Sequence, residues 1–146
     1  MQLTLKGDYA VRVVTDLAAQ PTEATVKSGD LCRRTGVPPA FLGKIVQALA
    51  HAGLVRTRRG ALGGVTLLRT PRTISLRDVI EAVEGPIYLN RCLIRPGLCP
   101  RDRVCPVHPV WARLQALVTR ELESVCIEEL ASWAPGPAKR QETSAC

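Results

Sequence analysis

A short run of glycine and proline between two helical patterns constrains the fold of the N-terminal half. The run Thr35-Gly36-Val37-Pro38-Pro39 ends one helix and begins another, because glycine is favoured just after a helix and proline in its first turn. The patterns around this run predict helices over 5–20, 29–35 and 39–52, with Ser28 as the N-cap of the second. The sequence therefore predicts two helices joined by a tight turn and preceded by a third.

The last of these helices carries two different faces. Its apolar stripe is Phe41, Leu42, Ile45, Val46 and Leu49. The opposite face has small and polar side chains and no acidic residue. Small side chains let a helix approach base edges, and lysine and glutamine donate hydrogen bonds to bases or phosphates. The residues predicted to contact nucleic acid from this helix are Pro39, Ala40, Gly43, Lys44 and Gln47.

A glycine-rich hairpin follows the third helix. In LVRTRRGALGGVTLL two β-prone arms flank RRGALGG, whose glycines permit positive φ and a tight turn. A phosphate-cradling loop is a weaker interpretation, since no Walker lysine follows the glycines. The hairpin is predicted to be a wing beside the recognition helix, where basic side chains reach phosphates or the minor groove. Its predicted DNA contacts are Arg56, Arg58, Arg59, Gly60, Gly63 and Gly64.

The positive charge of the chain lies mostly in this half. Residues 1–70 contain ten Lys or Arg and four Asp or Glu, a net charge of +6, whereas 71–146 contain ten and nine, a net of +1. An uneven basic excess suits a polyanion, most simply nucleic acid. Charge alone leaves ordinary solvated surface open as an alternative. Pattern, hairpin and charge together predict a winged helix-turn-helix DNA-binding domain over 1–70.

Two further helices are predicted in the C-terminal half. Ser75 and Asp78 have the spacing of an acidic capping box and Gly85-Pro86 closes the helix that follows, which gives a linking segment over 71–91. A longer helix is predicted from Pro109 to about Ser124. Its apolar stripe is Val110, Trp111, Leu114, Leu117, Val118, Leu122 and Val125.

This stripe needs a partner. The same helix of a second subunit predicts a homodimer through 109–131, and hence an inverted-repeat site on double-stranded DNA. Packing on the chain's own N-terminal domain is the alternative. Residues 132–146 are predicted to be a flexible tail. The predicted fold class is mainly α with a small β-hairpin wing, joined to a dimerisation helix and a cysteine-rich loop.

The cysteine-rich loop spans 92–108. Three cysteines and one histidine fall within these 17 residues, with the spacing C-x6-C-x5-C-x2-H, and prolines bend the backbone between them. No leader or membrane span is recognised in the sequence, so the protein is predicted to be cytoplasmic, where stable disulfides are rare. Thiolates select iron-sulfur clusters, zinc or Cu(I). Neither intercysteine gap is as short as a zinc knuckle, which favours an iron-sulfur cluster over zinc.

LTLKGDYAVR, RRGALGG, LRDVIEAVEG and the C-x2-H-x2-W ending of the loop resemble the IscR and NsrR family of iron-sulfur winged-helix regulators. The resemblance covers about residues 1–131. It implies a bacterial, homodimeric transcription factor whose cluster reports on iron-sulfur supply, iron, nitric oxide or redox state. Departures from the family pattern are Val65 and Ala61 in the wing, and a gap between Cys92 and Cys99 that is one residue longer than in the IscR pattern.

The resemblance also implies the ligands. Cys92, Cys99, Cys105 and His108 would hold a 2Fe-2S cluster, and Asp8 of the partner subunit is the alternative fourth ligand, which goes with a 4Fe-4S cluster. A zinc-stabilised or thiol-switch regulator without a cluster is the runner-up function. The loop lacks the orienting acid of a catalytic triad, so the chain is not predicted to be an enzyme. Of the remaining cysteines, Cys32 and Cys126 lie in apolar helical patterns and are predicted core thiols, whereas Cys146 lies in the tail.

Overall fold

The computed structural model describes residues 4–133. The chain is mostly helical and has one two-stranded antiparallel hairpin, which confirms the predicted fold class. The elements in chain order are α1 (Leu5–Ala18), α2 (Ser28–Thr35), α3 (Pro39–His51), β1 (Val55–Arg58), β2 (Gly64–Leu67), α4 (Leu76–Glu84), α5 (His108–Ser124) and α6 (Ile127–Trp133). Two 3₁₀ turns lie at Pro71–Thr73 and Arg91–Leu93. No helix among these residues is both long and apolar enough to cross a membrane.

The helix-turn-helix forms as the glycine and proline run predicts. Gly36 has φ +71° and ends α2, and Pro39 is the first residue of α3. The carbonyl of Lys27 accepts hydrogen bonds from Asp30 N and Leu31 N, both at 3.0 Å, so Lys27 is the N-cap of α2. The prediction that Ser28 caps this helix is therefore wrong by one position, because the backbone is already helical at Ser28.

The ends of α1 and α3 differ slightly from prediction. α1 was expected to reach residue 20, but it ends at Ala18. The amide of Gln20 donates to the carbonyl of Leu17 at 3.2 Å, a tighter turn than the α-helix. α3 ends one residue short of its predicted end, with Ala52 as its C-cap.

A single hydrophobic core joins α1, α2, α3, the hairpin, α4 and α6. Its fully buried members include Val13, Leu31, Ile45, Leu49, Val55, Ile74, Val79 and Ile127. The predicted domain boundary at residue 70 stays a prediction, and the core includes residues from both sides of it. Burial of this many large aliphatic side chains is the main term that stabilises the fold.

The linking helix α4 begins with the predicted capping box. Asp78 N donates to Ser75 Oγ at 3.0 Å, and Ser75 N donates to Asp78 Oδ2 at 2.9 Å. The other end of α4 holds the start of α1, because Gly7 N donates to Glu84 Oε1 at 3.0 Å and the hydroxyl of Thr4 donates to the same oxygen. α4 is thus fixed at both ends by polar contacts.

The short helix α6 was not expected, and it returns the chain to the core. Ile127 is fully buried, and its amide donates to the carbonyl of Ile74 at 2.9 Å. Leu76 N donates to the carbonyl of Val125 at 2.9 Å, so Val125 lies outside α5 and its predicted stripe. Cys126 forms an isolated β-bridge with Ser75, which makes its predicted helical placement wrong.

The structure describes only one of the other two cysteines outside the loop. Cys32 lies on α2, partly buried and packed against the core, in agreement with the prediction of a core thiol. Cys146 lies outside the described residues, as does the predicted tail apart from 132 and 133, which belong to α6.

The long helix α5 lies on the surface. It packs mainly against α4 and against the 3₁₀ turn at Arg91–Leu93, and none of its residues is buried. Val110, Leu114 and Leu117 of the predicted stripe are 40%, 39% and 53% exposed. One apolar side of α5 therefore faces outward within this chain.

Candidate nucleic-acid interface and cysteine loop

The small and polar face of α3 is exposed, as predicted. Pro39, Ala40, Gly43, Lys44 and Gln47 all lie on the surface, and Leu42, Ile45, Val46 and Leu49 are buried on the other side. Phe41 is the exception to the predicted apolar stripe, since it is 44% exposed and packs edge-on against Tyr9 with ring centroids 5.6 Å apart. An atom added at the Cβ position of Gly43 would have no neighbour within 4 Å, so this face is open to a close partner.

The wing is a four-residue antiparallel ladder with an added bridge. Arg56 pairs with Thr66, and Arg58 pairs with Gly64. Val26, from the segment before α2, exchanges two backbone hydrogen bonds with Val65, at 2.9 and 2.8 Å. The hairpin is therefore fixed to the helical part of the fold along one edge, while Arg56, Arg58 and Arg59 remain exposed.

Three glycines of the predicted DNA contacts shape the wing itself. Gly60 has φ +102°, a conformation that favours glycine. A Cβ at Gly63 would lie 2.3 Å from the carbonyl oxygen of Arg58, and one at Gly64 would lie 2.4 Å from the carbonyl oxygen of Val26. Because no side chain fits at such distances, Gly63 and Gly64 are required by the close approach of two backbone segments.

A cleft of about 860 Å³ separates α3 from the wing. Gly43, Arg58 and Arg59, which are among the predicted DNA contacts, line it. α2 and its N-cap contribute further lining residues that were not predicted as DNA contacts, namely Lys27, Ser28, Gly29, Cys32 and Arg33. Of these, Lys27, Ser28 and Gly29 lie at the helix start, where the first N–H groups are free and favour an anion such as phosphate.

The basic residues divide into paired and unpaired groups. Arg12 pairs with Asp8 at 2.7 Å and Arg34 with Asp16 at 2.6 Å, and the hydrogen bond to Asp16 raises the pKa of Arg34. Within residues 4–133 no ion pair involves the predicted DNA contacts. The basic residues among those predicted contacts are Lys44, Arg56, Arg58 and Arg59. Their charge is therefore available to a phosphate backbone.

The cysteine loop consists of successive tight turns. Cys92 lies in the 3₁₀ turn at Arg91–Leu93, and the carbonyls of Cys99 and Cys105 accept from Asp102 N and His108 N, each at 3.1 Å. All three loop thiols are free and half-buried. The loop thus presents three partly shielded thiols on a backbone that keeps few regular hydrogen bonds.

The fourth predicted ligand, His108, is the first residue of α5. Its Nδ1 atom is buried and has no hydrogen-bond partner among the described residues. Asp8, the alternative, lies on α1 and pairs with Arg12. In the part of the chain that the structure covers, no three His, Cys, Asp or Glu side chains are grouped closely enough to hold one metal ion. The predicted ligands between Cys92 and His108 are therefore close in sequence, but they do not form a preassembled single-ion site.

Comparisons with known proteins identify the family. Residues 3–132 match the family Rrf2, described as iron-dependent transcriptional regulator. The HTH-type transcriptional regulator IscR of Xenorhabdus nematophila is 35% identical over 130 residues, which cover 89% of this chain and 79% of that protein. These relatives are named as regulators, in agreement with the prediction that the chain is not an enzyme.

Solved structures have the same fold. CymR, the global cysteine regulator of B. subtilis, superposes with a TM-score of 0.74 at 28% identity, covering 92% of this chain and 99% of that one. T. potens IscR superposes with a TM-score of 0.73 at 26% identity, covering 97% and 93%. With its winged helix, its exposed basic face and the match over residues 3–132, the chain belongs to the Rrf2 family of transcriptional regulators.

Proposed function

We propose that this protein is a homodimeric, cluster-dependent transcriptional regulator that binds an inverted-repeat operator. Cys92, Cys99, Cys105 and His108 would ligate an iron-sulfur cluster, and the protein would sense iron-sulfur status, iron, nitric oxide or redox state through it. One observation carries the proposal: the buried Nδ1 of His108, at the start of α5, has no hydrogen-bond partner within residues 4–133. A buried nitrogen left without a hydrogen bond is costly, and a bound ligand would offset that cost.

The donor set fits a two-iron cluster better than a single ion. Structural zinc sites usually include a C-x2-C pair, and neither gap between the loop cysteines is that short. A 2Fe-2S cluster takes four protein ligands, and Cys105 and His108 would supply a thiolate and an imidazole to it together with Cys92 and Cys99. A 4Fe-4S cluster with Asp8 of the partner subunit would first require Asp8 to leave Arg12.

The chemistry of a bound cluster is reversible change in its charge and ligation. This chain's own residues convert that change into a DNA-binding signal. His108 begins α5, so the position of its ring bears directly on the first turn of that helix. The state of the loop can alter operator affinity only if the two states hold the DNA-binding face differently, which makes differential affinity the quantity to measure.

The operator symmetry follows from the dimer. The outward stripe on α5 consists of Val110, Leu114 and Leu117, which are partly exposed in the single chain. Pairing this stripe with its two-fold copy would bury it and place two α3 helices in related positions. A two-fold protein matches a palindromic site, with each recognition helix in one major-groove half-site.

The Leu114→Glu variant is expected to raise the dimer dissociation constant by about 100-fold or more, because an unpaired carboxylate enters an apolar interface twice per dimer. Sedimentation equilibrium across a concentration series measures this shift. Arg113→Glu adds the same carboxylate outside the predicted stripe and should leave the dimer intact. A Leu114→Glu protein that stays dimeric at wild-type strength would place the interface elsewhere.

The decisive experiment is anaerobic purification followed by a visible spectrum and by iron, sulfide and zinc analysis. Operator affinities of cluster-loaded and cluster-free protein are then compared at one salt concentration. The proposal expects iron and sulfide, visible absorbance and two clearly different dissociation constants. Equal affinities on every operator tested would rule out cluster-dependent regulation.

A matched pair of cysteine variants tests the ligand assignment. Cys105→Ser is expected to lose visible absorbance and bound iron, because a hydroxyl is a much poorer iron ligand than a thiolate. Cys32→Ser removes a thiol packed against the core on α2 and should retain both signals. The assignment is wrong if the two variants bind iron equally well.

The same measurements separate the runner-up functions. The loop cysteines are free thiols in the structure, and CymR, with the same fold, is described as a global cysteine regulator, which together favour a thiol switch as second candidate. A thiol switch predicts metal-free protein whose titratable thiols disappear on oxidation. A zinc-stabilised regulator predicts colourless protein with stoichiometric zinc.

A further inference from the structure

One arginine joins the linking helix to the long helix. Arg77 lies on α4, with Nε 3.1 Å from Glu81 Oε2 on the same helix and Nη1 2.5 Å from Glu123 Oε1 near the end of α5. An arginine is charged at physiological pH, and the hydrogen bond to Glu123, together with the contact to Glu81, raises the pKa of Arg77 further. A planar guanidinium can hold two carboxylates in fixed directions, which an ammonium cannot.

The same network holds the segment that leads to the cysteine loop. Oε1 of Glu81 accepts from Ile87 N at 3.2 Å, and Oε1 of Gln115 on α5 accepts from Leu89 N at 3.0 Å. These contacts surround a cleft of about 490 Å³ between α4, residues 86–93 and α5. Three residues after Leu89 the chain reaches Cys92, so the anchors lie directly before the first predicted ligand.

The far side of α4 faces the DNA-binding part of the fold. Val79, Ile80 and Val83 are buried there, and α4 packs against both α1 and the recognition helix α3. α5 in turn packs mainly on α4 and on the 3₁₀ turn at Arg91–Leu93. Packing therefore connects the loop and α5 to α3 through α4.

We propose that Arg77 is a positioning residue that couples the state of the cysteine loop to the recognition helix, by tying Glu123 of α5 to Glu81 and the connector. This inference rests on the proposed function, because it needs a loop with two states. Arg77 itself lies outside both the loop and the exposed face of α3. When the network is intact, a shift of α5 or of the connector moves α4. When it is cut, only the packing between α5 and α4 remains, and it transmits a smaller part of that shift to α3.

The test measures the ratio of operator dissociation constants between cluster-free and cluster-loaded protein. In Arg77→Gln and in Glu123→Gln, the factor by which the two dissociation constants differ is expected to be at least fivefold smaller than in wild type. Exposed ion pairs contribute little to stability, so the melting temperature should move by only a few degrees. Arg113→Gln removes an exposed charge from α5 outside this network and should keep the wild-type ratio.

A conservative variant separates coupling from charge. Arg77→Lys keeps the positive charge but can hold only one carboxylate well, so its ratio should lie between those of wild type and Arg77→Gln. A purely structural role would instead lower the melting temperature and leave the ratio unchanged.

The outcomes distinguish the two proposals. A wild-type ratio of one overturns the proposed function, and the coupling with it. A wild-type ratio far from one that Arg77→Gln and Glu123→Gln both retain within twofold overturns only the role of Arg77. Glu123 is more than half exposed, so Glu123→Gln provides a reading even if Arg77→Gln folds poorly.

Discussion

The Gly64→Ala variant is expected to lose about 1 to 3 kcal/mol of the free energy of unfolding, the range typical of overpacking a closely packed site. A Cβ at this position would meet the carbonyl oxygen of Val26 at 2.4 Å. Relief of that clash requires the two backbone hydrogen bonds between Val26 and Val65 to lengthen or break. Since these bonds fix the wing to the helical part of the fold, operator affinity should fall together with stability.

Chemical denaturation monitored by circular dichroism measures the change in unfolding free energy. Gly43→Ala is the matched control: the same methyl group meets nothing within 4 Å on α3, and alanine is the better helix former. That variant should gain about 0.5 to 1 kcal/mol. If both variants change stability by the same amount and in the same direction, the close approach at Gly64 has no energetic consequence.

The double variant Arg58→Gln/Arg59→Gln is expected to weaken operator binding by about 100-fold and to reduce its dependence on salt. Each phosphate contact removed lowers the slope of log K against log salt by about 0.9, and a dimer would lose up to four contacts. Binding to non-operator DNA should weaken by a similar factor, because phosphate contacts carry no sequence information. Fluorescence anisotropy over a salt series measures both quantities.

A charge-matched control separates contact from long-range attraction. Arg72→Gln/Arg113→Gln removes the same net charge from exposed sites outside the cleft between α3 and the wing. This variant should keep the wild-type slope and lose little affinity. An Arg58→Gln/Arg59→Gln protein with the wild-type slope would show that the wing does not contact the DNA backbone.

Local chemistry made most of the fold predictable. The capping box at Ser75 and Asp78, the left-handed Gly36 and the start of α3 at Pro39 each depend on residues within one turn of the chain. The exposed face of α3 followed from helical periodicity. The error at Ser28 is also local, since it concerns one position at the start of α2. Lys27 is the N-cap because its carbonyl accepts the first hydrogen bonds of the helix.

Features that depend on distant residues were missed. α6 is held by the burial of Ile127 and by its hydrogen bond to Ile74, more than fifty residues earlier in the chain. Phe41, which periodicity places in the apolar stripe of α3, is exposed and contacts Tyr9 of α1. No periodicity within a short window reports such pairings, so the boundary between α5 and α6 could not be read from the apolar stripe.

The cysteine loop was the least predictable part of the candidate site. Its spacing indicates which side chains could act as ligands. In the structure these side chains extend from the 3₁₀ turn at Arg91–Leu93 to the first residue of α5. How closely donor atoms approach each other depends on successive turns whose conformations are not set by residue type alone, and on a group that itself contributes to ordering them. The ligand set therefore remains part of the proposal.

The backbone leaves the core after α4 and re-enters it at α6, and the start of α6 is hydrogen-bonded to the residues at the start of α4. Leu76 N bonds to Val125, and Ile127 N bonds to Ile74. Residues 77–124 therefore begin and end at one point beside the core. A change in the length of the cysteine loop leaves these two bonds in place, so the DNA-reading unit is expected to tolerate it.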